Sequence, residues 1–187
     1  QVSWPCGGKV GTAFNYHPTA YAGDAKKKGL NWRTNLYYME SDDFGATWRN
    51  AGGDTIATPL ETPDNPALAV DYEAQGLLAY LMDVNYDAAG RPIVLHLVAT
   101  SWRPGPGNGP WEWRTAHWTG VDWRVLPVAK SDHCYDAGCL HVEADGAWRV
   151  IGPTEPGPQP FGTGGEMAMW LSRDEGRTWE KVRDLMR

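Results

Sequence analysis

Long apolar runs are missing from this 187-residue chain. No stretch approaches the roughly 20 residues that a membrane-spanning helix requires, so no membrane partner is expected. Basic residues are in the minority: 17 Lys and Arg stand against 23 Asp and Glu, a net charge of −6. That balance argues against a polyanion-binding surface of the kind nucleic acid needs. It leaves room for a local basic pocket fitted to a single uronic acid. Cysteine is scarce as well. Of Cys6, Cys134 and Cys139, the last two are close enough in sequence to pair across a tight loop, yet three buried thiols is the plainer reading, and an isolated Cys-x4-Cys is a poor zinc signature. The chain also has no phosphate-binding Gly loop, no His-Glu-x-x-His and no Gly-x-Ser-x-Gly. No cofactor is expected, and no ligand constellation demands a metal.

What the chain does have is 11 Trp, 8 Tyr, 22 Gly and 14 Pro. Aromatic residues suit pleated, half-buried strands, and Gly and Pro punctuate turns, so the composition points to an all-β protein. The only stretch with any helical character, Glu180 to Met186, reads equally well as an outer strand.

One segment recurs. Ser41-Asp42-Asp43-Phe44-Gly45-Ala46-Thr47-Trp48 returns 131 residues later as Ser172-Arg173-Asp174-Glu175-Gly176-Arg177-Thr178-Trp179, with the same residue at five of eight positions. Each shared residue has work in a tight hairpin: Ser and Asp bond the turn backbone, Gly takes a positive φ, and Trp covers the neighbouring sheet layer. The pattern resembles the Asp-box, or BNR repeat, of sialidase-like β-propellers. The resemblance implies a structural staple on the side of the fold away from any active site.

The same shift aligns Asn35–Glu40 with Glu166–Leu171, alternating strands that run directly into the box. Between them lies a degenerate copy, Trp113–Trp118 followed by the shortened turn Thr119–Trp123. A blade takes roughly 40–60 residues and rings hold about 4–8 blades, so about three four-stranded blades fit here. They are expected at roughly 10–58, 64–128 and 133–187. Inner strands are expected to begin at Phe14–Pro18, Asp64–Leu68 and Tyr135–Leu140, with an extra hairpin, Leu77–Asn85 joined to Ile93–Ser101, in the second blade. The chain begins at Gln1 with no signal-like run behind it and stops just after a repeat; it is expected to be an internal piece of a longer propeller, whose remaining blades are its partner.

Loops leading into inner strands and loops joining second to third strands should gather on one face. The first class carries Asn15, Tyr16, His17, Asp64, Asn65, His133, Tyr135 and Asp136. The second comprises 24–33, 102–111 and 153–165. His17, His133 and Tyr135 are candidate acid/base groups, because imidazole titrates near neutral pH. Asp136 reads either as a catalytic carboxylate or as the opening of an Asx turn. Arg33 is the candidate partner of a sugar carboxylate, since guanidinium bonds it bidentately, or else a surface ion pair. Glu166, behind Gly164-Gly165, is a candidate acid/base or hydroxyl ligand. Trp102, Trp111 and Phe161 stand ready to stack on pyranose faces. His96, His117 and His141 sit in alternating strands and read as core or strand-face residues, and Lys26-Lys27-Lys28 as a solvated loop tip.

Segments Phe14–Pro18, Arg33–Tyr38, Asp64–Leu68, Gly157–Pro160 and Gly164–Glu166 resemble the "BNR repeat-containing family member" proteins of polysaccharide-degrading bacteria. The resemblance implies a seven-bladed propeller, a secreted or periplasmic location and action on carbohydrate; relatives include lyases of uronate polysaccharides such as ulvan and α-L-rhamnosidases acting next to glucuronate. For a lyase it implies a His/Tyr acid–base pair and an Arg neutralising the uronate. His17, Tyr135 or His133, and Arg33 are the residues that match. The sialidase branch needs three clustered Arg and a Tyr nucleophile, and the arginine pattern here does not match it. Two readings therefore stand: an enzyme cleaving a uronate- or rhamnose-containing polysaccharide by β-elimination or glycoside hydrolysis, with Asn15, Tyr16, Asn65, Trp102, Asp136, Phe161 and Glu166 holding sugar, or a non-catalytic propeller that binds glycan or protein.

Overall fold

The structure is a computed structural model that describes residues 2–17, 31–101, 103, 109, 111–133, 137–157 and 164–185. Among these residues there are fourteen strands and no helix. In chain order they are β1 Val2–Cys6, β2 Lys9–Tyr16, β3 Thr34–Ser41, β4 Trp48–Arg49, β5 Thr55–Ile56, β6 Leu68–Val70, β7 Leu78–Tyr86, β8 Pro92–Ala99, β9 Trp111–Trp118, β10 Trp123–Ser131, β11 Cys139–Val142, β12 Trp148–Gly152, β13 Ala168–Ser172 and β14 Glu180–Asp184. They form three antiparallel sheets ordered β1-β2-β3-β4-β5, with β6 also paired to β3, then β7 to β10 and β11 to β14. This is the all-β, blade-by-blade architecture of a partial β-propeller. Glu180–Asp184 is an outer strand.

The innermost strands are β1, β7 and β11, because β7 is the strand that meets both β1 of the first sheet and β11 of the third. Two strand assignments differ from expectation. Phe14–Tyr16 closes β2 instead of opening an inner strand, since Val2–Cys6 pairs in register with Lys9–Ala13 and takes the inner place. Leu68–Val70 joins the first sheet: Tyr37 pairs with Leu68, and the Tyr38 amide donates to Ala67 O at 2.8 Å. Ala67 and Leu68 thereby cover Tyr37 and Ile56. The hairpin β7–β8 is then the inner half of the second blade, not an addition to it.

The two boxes have the same internal bonds. Ser41 Oγ donates to Asp43 at 2.8 Å and accepts the Gly45 amide at 2.9 Å; Asp43 accepts the Thr47 amide at 2.9 Å and its hydroxyl at 2.7 Å. Ser172, Asp174, Gly176 and Thr178 repeat these four distances. Gly45 and Gly176 have φ of 86° and 78°, in the left-handed region that glycine tolerates best. Bonds from Thr47 and Thr178 hold both carboxyls well below the usual carboxylate range, at about 2.

Blades pack through aromatics. Trp111, Trp113, Trp148, Leu97 and Val150 are buried between the second and third sheets, while Tyr38, Tyr72, Tyr86, Leu36 and Val84 are buried between the first and second. Truncating such a residue costs about 3–5 kcal/mol. The Trp113 indole occupies the space into which any Cβ on Gly138 or Gly152 would project. The Trp that ends each box packs on a layer: Trp48 on the cluster of Tyr37 and Ile56, and Trp179 at 6.5 Å from Trp148; Trp123, which ends the degenerate turn, lies 5.8 Å from Tyr38. His96 and His117 are buried as expected of strand residues, and His141 is an exposed strand-face residue. Cys6 is half-buried, but Cys139, the first residue of the short inner strand β11, is exposed. Cys134 lies outside the described residues.

Candidate functional site

Because the strands alternate in direction, the start of every inner strand, the end of every second strand and the start of every third strand fall on one face. The boxes join third to fourth strands and fall on the opposite face. The first face carries His17, Arg33, His133, Asp132 and Glu166.

His17 follows β2 and Arg33 precedes β3, so the two lie at adjacent strand ends. His17 is exposed. Partial desolvation, and then the positive charge of Arg33, lower its pKa below the ordinary 6.5. At neutral pH it is an uncharged imidazole, the form that accepts a proton.

Arg33 is half-buried, and its Nε is buried with no hydrogen-bond partner. No described carboxylate pairs with it. Its Cζ sits 5.8 Å from the centre of the Tyr80 ring on β7, and its carbonyl accepts the Ala79 amide at 2.9 Å. The Tyr80 hydroxyl donates to Asn31 O at 2.9 Å, and Thr34 Oγ1 donates to Leu77 O at 3.1 Å. The segment that presents Arg33 is thus registered against the inner strand of the next blade.

A second group forms beside it. Asn15, Tyr16 and Asn65 line one pocket of about 240 Å³, walled by Phe14 and Tyr37, which stack at 5.2 Å with an interplanar angle of 7°. Glu61 is the carboxylate in its lining. Asn15 Nδ2 donates to Asn35 O at 2.7 Å, while the Asn65 side chain bonds within its own turn, donating to Thr62 O at 2.7 Å and accepting the Ala67 amide at 3.0 Å.

The third blade contributes differently. His133 is buried, with Nε2 donating to Pro153 O at 2.8 Å and Nδ1 held by the Asp132 carboxylate. Each ring nitrogen faces an acceptor oxygen, and Gly164 leaves room for the ring, since a Cβ there would strike the imidazole. Asp132 also accepts the Gly157 amide at 3.1 Å, so this cluster ties down the segment from Pro153 to Gly157. Glu166 is exposed just before β13. Trp111, once a stacking candidate, is fully buried. Tyr135, Asp136, Trp102 and Phe161 lie outside the described residues. No group of three or more His, Cys, Asp or Glu suited to a metal ion occurs among the described residues.

Two residues of this region escape a reading of the sequence. Tyr80 sits in an apolar strand and looks like core. Asn35, at φ 58°, accepts the Glu73 amide at 2.8 Å and donates to Tyr37 OH at 3.3 Å, joining the pocket to the next blade. The signal for Asn35 is its residue type, since Asn enters the left-handed region more readily than other side chains.

The family model described as "BNR repeat-containing family member" matches residues 12–131. The chain belongs to that family. Comparison with curated protein sequences gives no match. Among solved structures, a PL25 ulvan lyase, determined free and bound to a GlcA(1-4)Rha3S glycan, resembles this BNR chain with a TM-score of 0.73 at 17% identity, over 99% of this chain and 42% of its own. A protein of unknown function from Dyadobacter fermentans follows with a TM-score of 0.56 at 16% identity, over 96% of this chain and 49% of its own. The Hadza microbial sialidase Hz136 gives a TM-score of 0.51 at 16% identity, over 95% of this chain and 31% of its own. The BNR chain therefore spans less than half the length of each. At these identities the likeness establishes the propeller fold.

Proposed function

We propose that this BNR chain is part of a carbohydrate-active propeller, extracellular or periplasmic, that binds a uronate-containing polysaccharide on the His17/Arg33 face and cleaves it by β-elimination. The observation that carries this reading is the Arg33 guanidinium, half-buried beside a neutral imidazole with no described carboxylate paired to it. A cation held out of water gains most from an anion that reaches it, and a carboxylate matches its fork. With the uronate carboxylate on Arg33, the proton on C5 becomes acidic and His17 is the base that takes it. The electron pair forms the C4=C5 double bond, the C4–O bond breaks, and the departing oxygen takes a proton from an acid of the same face or from water. The pocket of Asn15, Tyr16 and Asn65 supplies an adjoining surface for a neighbouring sugar, with aromatic walls and amide groups. Membership of the BNR family and the fold shared with an ulvan lyase that was solved with a uronate glycan support the same reading.

The test is incubation with ulvan and other uronic-acid polysaccharides, read by ultraviolet absorbance of the unsaturated uronate. Absorbance that rises with the native protein and not with Arg33→Gln supports the proposal. New reducing ends or free rhamnose without absorbance would replace it with hydrolysis. Retention on an immobilised glycan without cleavage would make the chain a binding module.

A further inference from the structure

We infer that Tyr80 is the positioning residue of the anion site, holding the Arg33 guanidinium in place before any ligand arrives; the inference rests on the proposed role of Arg33. Tyr80 acts on that residue from two directions. Its ring lies under the guanidinium, with Cζ 5.8 Å from the ring centre, inside the range over which the electron-rich face of an aromatic ring attracts a cation. Its hydroxyl donates to Asn31 O, the same carbonyl that accepts the Arg33 amide at 3.1 Å. Tyr80 therefore braces both the side chain and the turn from which it springs.

A purely structural tyrosine would need only to fill space in the apolar layer that it shares with Trp111 and Leu140. Phe or Leu would serve that purpose. Over Leu, Tyr adds the bond to Asn31 and a face suited to a cation; over Phe it adds the bond alone. The Arg33 Nε is buried without a partner, and no hydrogen bond or ion pair ties either Nη group to a described residue. A planar carboxylate placed end-on across Nη1 and Nη2 is the ligand that this pair fits. Because the ring already restrains the guanidinium, binding loses less side-chain freedom.

Two measurements test this on the whole chain. In the first, affinity is compared for a glucuronate oligosaccharide and its carboxyl-reduced neutral counterpart. The native protein should favour the acid; Tyr80→Leu should lose roughly tenfold of that preference and Tyr80→Phe roughly threefold, with affinity for the neutral sugar unchanged. Full retention of the preference in both variants would overturn the inference. Should the native protein show no preference for the acid, the proposed role of Arg33 fails instead. The second measurement does not involve ligand. The 15N relaxation of Arg33 Nε–H should report a rigid side chain in the free native protein and a mobile one in Tyr80→Leu. A mobile Arg33 in the native protein, which needs no variant to fold, would sink the inference by itself.

Discussion

Arg124 Nη2 donates to His117 Nδ1 at 3.1 Å, so the imidazole keeps its proton on Nε2, where it meets the Asp87 carboxylate at 2.9 Å. Arg91 holds the same carboxylate at 2.6 Å, and Arg124 reaches on to Glu175 in the second box at 3.3 Å. Burial, with Arg124 and Arg91 facing the ring against Asp87, lowers the His117 pKa below 6.5. The unfolded chain therefore takes up this proton first as pH falls. Stability from the neutral ring is present above about 6.5 and is lost as pH drops toward the folded value. His96, fully buried and lowered to about 4, acts in the same direction. Urea midpoints should fall between about pH 7 and pH 5, and less steeply in His117→Gln than in the native protein. Equal slopes would show that the His117 ring takes no part.

The charge of Arg33 contributes to the lowered pKa of His17. Arg33→Gln should raise that pKa toward the ordinary value, and a bound carboxylate should do the same to the native protein. Titration of the His17 ring protons by NMR checks both. A pKa that moves with neither change would separate the two residues.

The boxes share their bonds but not their surroundings. Gly176 is buried, and a Cβ there would lie 2.8 Å from the Trp148 ring and 3.2 Å from Thr115 Oγ1; Gly45 is exposed. Ser172→Ala strands the Gly176 amide away from water and should cost about 1–3 kcal/mol. Ser41→Ala leaves the Gly45 amide to solvent and should cost less. Denaturant unfolding of the two variants should rank them in that order.

Gly11 faces the hydroxyls of Tyr38 and Tyr86, which lie 3.2 Å apart. Tyr38 donates to Glu40 at 2.7 Å and Tyr86 to Trp4 O at 3.2 Å. A methyl group at Gly11 has to displace both rings from the interface between the first two blades. Gly11→Ala should destabilise by about 1–3 kcal/mol, seen as a lower melting temperature.

The parts of this molecule legible in its sequence are those settled by local bonds. Ser41 and Asp43 satisfy their turn within a few residues, so eight letters suffice to recognise it, and the repeat at Ser172 supplies the register. Strand alternation likewise marked β3, β9 and β13. Partner choice was not legible. Leu68–Val70 alternates as well as any inner strand, and only its pairing with Leu36 and Tyr37 assigns it to the first sheet. Val2–Cys6 alternates Val2, Trp4 and Cys6, but only its pairing with Lys9–Ala13 shows that it is innermost. In the candidate site, Arg33 sits where its strand is read, at the start of β3. Asn15, Tyr16 and His17 read as an inner-strand entry and instead lie at the end of β2, and Asn65 precedes β6 of the first sheet. Tyr80 could not be placed, because its role depends on contact with a loop of the preceding blade.

The Trp113 ring, lodged against Gly138 and Gly152, ties three positions into a single inherited unit. A lineage that gains a side chain at either glycine while the indole remains passes through a misfit core. Shrinking the ring first leaves only a cavity, which a methyl at Gly152 could then fill. The order of substitutions, and not merely their sum, decides which descendants of this interface between blades still fold.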